Sequence, residues 1–331
     1  MKHTAVAAAN IALIKYWGTQ DAERVLPANP SLSMTLRHCV SRCTVAPGAN
    51  GKDEVSWLNE QGELETPPPA FLDGVLQHIE RLRAYGGARM SLRVVTTNNF
   101  PTGAGIASSA SGFAALTIAV CRALGYDADS EALSRLARLS GSGSAARSVL
   151  GGYVEWPGLA DDPESGARQI AGERHWRLHD LIAVVNTEHK RVSSREGHRR
   201  ASTSPYFATR LEHLPARHER VRSALLARDF RRLAQAVEEE AIDLHLIAMS
   251  ATPPTFYWQP ATLAVLEAVR RWRDDGLEVC ATIDAGPNVH VLRTDAHVAQ
   301  VRDALDAVTG VNHVIADEVG DGPRFVAEHL F

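Results

Sequence analysis

The chain has 331 residues, 45% of them hydrophobic and 22% charged, enough to bury a substantial core in one large domain or two smaller ones, which excludes a mostly disordered chain. Thirty-five Lys and Arg against 39 Asp and Glu leave a formal charge of −4, so no general electrostatic pull toward nucleic acid or an anionic membrane exists and any anion must be bound at a local site. The four cysteines, Cys39, Cys43, Cys121 and Cys280, are too scattered for a disulfide framework, and Cys39 and Cys43 lack a second Cys or His pair at zinc-finger distance, so all four are expected as buried thiols.

At the start of the chain a lysine followed by an apolar run imitates a secretory signal, but Asn10 and Lys15 interrupt it and no small-residue cleavage site follows. No stretch approaches the roughly 18 uninterrupted apolar residues of a membrane span, so a cytoplasmic protein is expected. The first 65 residues read as β, with alternation over Ser31–Leu36, a run over Cys39–Val45, a turn at Gly48-Ala49-Asn50-Gly51 and a short strand over Val55–Leu58. Pro67-Pro68-Pro69 ends this region and starts a helix, in which Phe71, Leu72, Val75, Leu76, Ile79 and Leu82 keep helical spacing. Ser91–Val95 reads as a strand, Ser109–Leu124 as a helix apolar nearly all round, and Asp129 or Ser130 caps the next helix, ending near Ser140. Leu181–Val185 is an unbroken apolar run, as in a strand buried on both faces. From Tyr206 onward helices dominate, including a long one over Asp229–Met249, with strands near Val279–Ile283, Val289–Leu292 and His313–Ile315 alternating with helices at Ala261–Arg273 and Ala296–Val308. No period of about 20–50 residues repeats. The shift from β-rich to helix-rich sequence near residue 180 predicts an α+β architecture in two lobes, with the site in the cleft between them.

Four stretches and one lysine could carry chemistry. In Pro101 to Ser111 (PTGAGIASSAS) small residues run into a helix, so that backbone N–H groups and the helix dipole form an anion seat to which the Ser108 and Ser109 hydroxyls add donors; one could hold magnesium. Neither a Walker lysine nor a Gly-x-Gly-x-x-Gly is present. Ser140 to Arg147 (SGSGSAAR) combines hydroxyls, a pliant backbone and a guanidinium, which suits a phosphate or carboxylate. Lys190 to His198 is basic and hydroxyl-rich at the C-terminal side of a buried strand; it reads as a ligand-contacting segment or a solvated loop. Asp284 ends a strand before Gly286-Pro287, where it either bonds its own backbone or faces a site. Lys15, amid apolar neighbours, either snorkels to the surface or pairs with an acid. No His-Glu-x-x-His and no Gly-x-Ser-x-Gly occur, which disfavours zinc catalysis and Ser-His-Asp hydrolysis.

Jointly, Asn10 to Gly18 (NIALIKYWG), Leu26-Pro27 through Ser31 to Leu36 (SLSMTL), Asn99 to Ser109, Ser142 to Ser148 with Gly151 to Trp156 (GGYVEW), Pro253 to Trp258 and Asp284 to Asn288 (DAGPN) resemble the mevalonate diphosphate decarboxylases of the GHMP kinase superfamily, in the right order over most of the chain. The resemblance implies a two-lobed fold: residues 1–180 as an ATP-binding and substrate lobe like the second domain of ribosomal protein S5, and residues 181–331 as a ferredoxin-like lobe carrying the catalytic aspartate. It implies ATP-dependent phosphorylation of a tertiary C3 hydroxyl followed by joint loss of phosphate and carbon dioxide, with ATP and Mg2+ as cofactors and a homodimer as the assembly. It further implies that Asp284 orients or deprotonates the hydroxyl, that Lys15 keeps Asp284 ionised, and that Arg147 grips the substrate carboxylate with help from Asn10. Gly103, Gly105, Ser108 and Ser109 are implied to seat the ATP phosphates, Ser109 to take the magnesium, and Tyr16, Ser142, Ser144, Ser194 and Arg195 to hold the 5-phosphoryl end.

Two positions depart from the pattern. Thr19 stands where the family usually has a lysine that contacts the diphosphate, and His198 where it commonly has a methionine. The first leaves open a monophosphate substrate, a related branch, or compensation by Arg195 or Lys190; the second adds an imidazole beside the substrate. The expected reaction is therefore decarboxylation of mevalonate 5-diphosphate to isopentenyl diphosphate, with the same reaction on mevalonate 5-phosphate, or 3-hydroxyl phosphorylation alone, as alternatives. A non-catalytic nucleotide or metabolite sensor is disfavoured because a pure binder has no need of Asp284, Lys15 and Arg147 together.

Overall fold

A computed structural model describes residues 1–101, 106–158, 166–187 and 192–331. In chain order it begins with β1 (His3–Ile14), the short pair β2 (Thr19–Asp21) and β3 (Leu26–Pro27), the long β4 (Ser31–Pro47), β5 (Glu54–Leu58) and β6 (Leu64–Glu65). Helix α1 (Pro69–Gly86) leads to β7 (Leu92–Asn98), and α2 (Ser108–Ala123), α3 (Ser130–Arg138) and α4 (Ala145–Ser148) precede β8 (Tyr153–Trp156) and β9 (Arg168–Ala171). The remainder comprises β10 (His179–Val184), α5 (Ser194–Arg200), α6 (Phe207–Ala227), α7 (Phe230–Ser250), α8 (Pro260–Asp274), β11 (Val279–Thr282), β12 (Val289–Arg293), α9 (Val298–Asp306), β13 (His313–Glu318) and β14 (Arg324–Val326).

The larger sheet runs β14-β1-β4-β7-β5-β6, with β8 and β9 added beside β4, and the smaller runs β11-β12-β10-β13. Four layers result. Helices α1 and α2 cover one face of the larger sheet, where Val75, Ile79 and Leu82 of α1 meet Leu116 and Val120 of α2 over Val45 and Val94. Between the two sheets, Ile11, Leu13 and Met34 pack with Leu214 and Val221 of α6, Leu233 and Val237 of α7, and Ile182 and Leu292 of the smaller sheet. Val265 of α8 and Leu305 of α9 close the outer face over Leu181 and Val291. The smaller sheet is thus apolar on both sides, as the run at Leu181–Val185 predicts.

A register shift between Ala8 and Asn10 fixes how β1 serves both sides. Ala5 and Ala7 face the α2 layer, whereas Ala9, Ile11 and Leu13 enter the core between the sheets; the same shift turns Asn10 toward α4, where its amide donates to the Ser148 hydroxyl at 2.8 Å. Opposite the shift, β4 has three backbone N–H groups, of Arg37, His38 and Cys39, that the ladder leaves unpaired, and the Asp317 carboxylate of β13 accepts all three at 2.7–2.9 Å.

The helices follow the sequence closely: Asp129 caps α3 through the Ala132 N–H, and Asp229 caps α7 through the Arg232 N–H. Other elements differ. Ser31–Leu36 and Cys39–Val45 are one strand, β4. Part of the basic segment over 190–198 is helix α5, which the Ser193 side chain caps, while Lys190 and Arg191 lie outside the described residues. All four cysteines are free and buried as expected, and burial raises the Cys121 thiol to about 12. Among the described residues, no helix is long and apolar enough to cross a membrane.

Candidate active site

The lobes enclose a cavity of about 680 Å³, well within the range of small-molecule sites. Its floor is an ion pair between residues 269 apart in sequence. Asp284 leaves the end of β11 on a loop tied down twice: the Asn288 side-chain oxygen accepts the Val185 and Asn186 N–H groups at 2.8 and 3.1 Å, and the Thr262 hydroxyl donates to the Pro287 carbonyl at 2.6 Å. Lys15 follows the last residue of β1, and its Nζ donates to Asp284 Oδ1 at 2.6 Å. Lys15 is 1% exposed, while the Asp284 side chain keeps 24% of its surface, opening into the cavity. Burial alone raises the Asp284 carboxyl; the Lys15 ammonium, helped by His290 and Arg147, more than offsets this and holds it below the ordinary carboxylate range. The lysine therefore pairs rather than snorkels, and the aspartate's carboxylate faces a site rather than its own turn.

Arg147 forms the adjoining wall. It is 1% exposed and donates from Nε to Ser33 Oγ at 3.0 Å, from Nη1 to Ser31 Oγ at 2.5 Å and from Nη2 to Asn10 Oδ1 at 3.3 Å. Burial lowers it to about 10, so it stays cationic at neutral pH. Three of its five N–H groups are bound to the protein among the described residues, and the residue lines the cavity.

The amino terminus of α2 lines the same cavity. Ala107 sits at φ 50, a left-handed bend that swings the chain into the helix, and Ser108 and Ser109 occupy its first turn. Ser109 Oγ lies 3.3 Å from Ser142 Oγ, joining this wall to the Ser-Gly stretch. The first-turn N–H groups of a 16-residue helix offer both donors and a positive dipole end to an anion. Gly103 and Gly105, the other members of the expected phosphate loop, lie outside the described residues. From α1, Gln77 and Arg81 also line the cavity; their place on the polar face of an amphipathic helix gave no signal of this.

The rim contains Tyr16, Thr19, Ser142, Ser144, Ser194, Arg195 and His198. Tyr16 packs edge-on against Trp156 and stacks with the His198 ring at 4.1 Å, while its hydroxyl lies 3.2 Å from Thr19 Oγ1. The His198 Nδ1 accepts the Gly18 N–H at 3.1 Å, which places the ring proton on Nε2 when the ring is neutral. Gly143 is required where it stands, since a side chain there would run into the Tyr16 ring. Arg195 extends across Gly141, which sits at φ +85, so the rim's guanidinium rests on a bend suited to glycine.

All the candidate residues among those described therefore converge, with Asn10 just behind Arg147. Two neighbours were not legible beforehand. His245 is 1% exposed near the Lys15–Asp284 pair; burial, with the Lys15 charge, lowers it to about 3, so the ring is uncharged at physiological pH. Glu240, the last of three consecutive glutamates, is fully buried beneath Lys15. No group of three or more His, Cys, Asp or Glu among the described residues could hold a metal ion alone.

Residues 7–167 match the diphosphomevalonate decarboxylase-like N-terminal domain, and residues 180–320 match the mevalonate 5-diphosphate decarboxylase C-terminal domain. Diphosphomevalonate decarboxylase of Candida albicans is 33% identical over 98% of both chains. The mevalonate diphosphate decarboxylase from Enterococcus faecalis, solved in a study of mevalonate diphosphate-mediated ATP binding, superposes with a TM-score of 0.89 at 33% identity over 98% of this chain and 99% of that one. A structure of MDDEF in complex with MVAPP, AMPPCP and magnesium is 34% identical with the same TM-score and the same coverage. The ordered motifs, the two-lobed fold and these matches along nearly the whole length place the chain in the diphosphomevalonate decarboxylase family of the GHMP kinase superfamily.

Proposed function

We propose that the chain catalyses the ATP-dependent decarboxylation of mevalonate 5-diphosphate to isopentenyl diphosphate, releasing ADP, phosphate and carbon dioxide. The observation that carries this reading is the Lys15–Asp284 pair, the buried Arg147 and the α2 amino terminus lining one cavity. A kinase alone needs the acid and the anion seat; a carboxylate-gripping guanidinium adjoining the acid suits a substrate whose carboxylate is also to be lost.

The residues present fit ATP and magnesium. The Ser108 and Ser109 N–H groups receive phosphate oxygens, and the Ser109 hydroxyl offers a magnesium ligand, the remainder coming from phosphate and water, since Mg2+ sites commonly use few protein ligands. When bound, ATP supplies the phosphoryl group that converts the C3 hydroxyl into a good leaving group, and its magnesium offsets phosphate charge. The Asp284 carboxylate accepts the C3 hydroxyl's hydrogen bond and takes its proton as the oxygen–phosphorus bond forms. Lys15 keeps that carboxylate ionised until then and faces the charge developing on the transferred group. Arg147, with Asn10 fixing its orientation, holds the substrate carboxylate so that its C–C bond is aligned with the breaking C3–O bond; the electrons of the first become the double bond as carbon dioxide and phosphate leave.

Tyr16, Ser142, Ser144, Ser194 and Arg195 hold the 5-phosphoryl end. Residues 1–180 supply the ATP and carboxylate walls, and residues 181–331 supply Asp284. The protein acts in the cytoplasm as a homodimer: four free thiols suit a reducing compartment, and Ile242 and Leu246 expose apolar surface one turn apart on α7.

The test is incubation of the protein with ATP, magnesium and, separately, mevalonate 5-diphosphate, mevalonate 5-phosphate and mevalonate, recording ADP and carbon dioxide. Equimolar release with the diphosphate supports the proposal. Preference for the monophosphate makes Thr19 the determinant of specificity, and ADP without carbon dioxide excludes a decarboxylase.

A further inference from the structure

β1 ends at Ile14, so the peptide groups of Lys15 have left the sheet ladder. Both are nevertheless paired, each to a charged side chain of the other lobe and the carbonyl also to Asn29 of its own lobe. The Lys15 N–H donates to Glu240 Oε1 of α7 at 3.0 Å, and its carbonyl accepts from Arg210 Nη2 of α6 at 3.4 Å and from Asn29 Nδ2 at 2.9 Å. Arg210 and Glu240 pair with each other at 2.6 Å, with both side chains at 0% exposure. Arg217 reaches Glu240 Oε2 at 2.8 Å and Asp243 Oδ2 at 2.5 Å, and Asp243 also accepts from Arg210 at 3.0 Å.

A pair buried this deeply is a poor device for stability, because desolvation consumes most of its attraction and well-packed apolar residues often replace it at no cost. What it supplies is geometry. A carboxylate and a guanidinium joined to each other, and each also joined to one peptide group of Lys15, fix the point from which the lysine side chain springs. Displacements of about 1 Å in a reacting constellation can cost around a hundredfold in rate.

Resting on the reading of Lys15 and Asp284 as the catalytic pair, we propose that Arg210 and Glu240 are positioning residues: their buried ion pair clamps the Lys15 backbone against α6 and α7 and so sets the ammonium on Asp284.

The test uses the full chain carrying Arg210→Met and Glu240→Leu together, which leaves neither partner as an unpaired charge and leaves Arg217 paired with Asp243. The expected result is a folded protein in which kcat falls at least about tenfold while the KM for ATP stays within about twofold. In a Lys15→Met background, read by single turnover, the same double substitution has no further effect, because the clamp acts through Lys15. A kcat within about threefold of wild type, a parallel rise in the KM for ATP, or an undiminished loss in the Lys15→Met background overturns the proposal. Wild-type turnover in Lys15→Met alone refutes the catalytic assignment of Lys15 instead. Should the double variant not fold, Arg210→Lys decides. Its single ammonium keeps the charge but cannot reproduce the guanidinium's fork onto Glu240 and the Lys15 carbonyl, so reduced kcat at constant KM for ATP upholds the clamp and wild-type kcat overturns it.

Discussion

Replacing Asp284 with Asn removes one charge and one proton acceptor while keeping the side chain's size and an oxygen for Lys15 Nζ to bond. The loss in turnover is set by the group's role: a positioned general base contributes about 10²–10⁴, so kcat is expected to fall about 10³-fold, or about 4 kcal/mol of barrier. The loss in stability is smaller. Removing one partner of a buried pair costs about 3–5 kcal/mol when the other is left bare, but the amide oxygen still accepts from Lys15 and the site opens to the cavity at 24% exposure, which reduces this to about 1–2 kcal/mol. ATP binding is expected to change little because the donors that suit the phosphates lie on α2, not on the loop that carries Asp284. The sign of the pH dependence also follows. The Lys15 ammonium holds the Asp284 carboxyl below its ordinary range despite burial, so the wild-type pair stabilises the fold above the unfolded carboxyl's pKa and loses that contribution as the pH falls through the folded one; the variant lacks this dependence. Single-turnover ADP and carbon dioxide release, titration calorimetry with an ATP analogue and thermal unfolding at several pH values measure the three quantities. A turnover loss below tenfold, or ATP affinity falling by the same factor as turnover in a folded protein, refutes the assignment.

Arg147→Gln keeps hydrogen bonding to Ser31 or Ser33 but loses the carboxylate grip; kcat/KM is expected to fall about 10²–10³-fold, and carbon dioxide released per ADP to drop below one, a ratio of one refuting the grip. Thr19→Lys places a cation at the rim beside Tyr16 and is expected to raise the diphosphate-to-monophosphate ratio of kcat/KM about tenfold, one charge-assisted contact's worth; an unchanged ratio shows that Arg195 and its neighbours already supply the charge. Glu155 joins β8 to α6 through His218 at 3.1 Å and to Arg168 at 2.7 Å. The close approach of His218 and then the hydrogen bonds from Arg168 overcome burial and lower its carboxyl to about 2. Glu155→Gln should therefore cost about 1–2 kcal/mol near pH 5, after screening of the exposed Arg168, with the difference from wild type in denaturant midpoint vanishing as the pH falls from about 4.5 toward 2.

Local chemistry made the helices legible. Val75, Ile79 and Leu82 fall on one face, and Asp129 and Asp229 stand where an N-cap must, so α1, α3 and α7 follow from residues a few positions apart. β1 was not assigned as a strand because HTAVAAANIALI is buried almost throughout and crosses from one layer to another at a register shift: it has neither a period of two nor a β-branched run. β4 read as two pieces because its irregularity at 37–39 is satisfied by Asp317, which nothing near residue 38 announces. The site divides the same way. The Ser-rich helix entry and the SGSGSAAR stretch carry their chemistry locally, but Lys15 and Asp284 each read ambiguously until the fold joined them; only the family resemblance paired them beforehand. Glu240 was the least legible of all, since a glutamate following two others gives no sign that it is the fully buried one.

The strand at residues 324–326 has a consequence for how the molecule is made. β14 pairs with β1 through Thr4, Ala5 and Val6, and Asp317 serves β4, so the larger sheet is completed by residues synthesised some three hundred positions after it begins. While the ribosome is still producing α6 to α9, the nascent amino-terminal sheet carries an open edge at β1 and three unsatisfied amides at 37–39, an edge that invites pairing with another chain. Cutting the molecule near residue 180 recreates that state permanently. The two lobes are therefore poor modules for exchange between homologues, and a chimera keeps its solubility only if residues 313–326 travel with the amino-terminal lobe they complete.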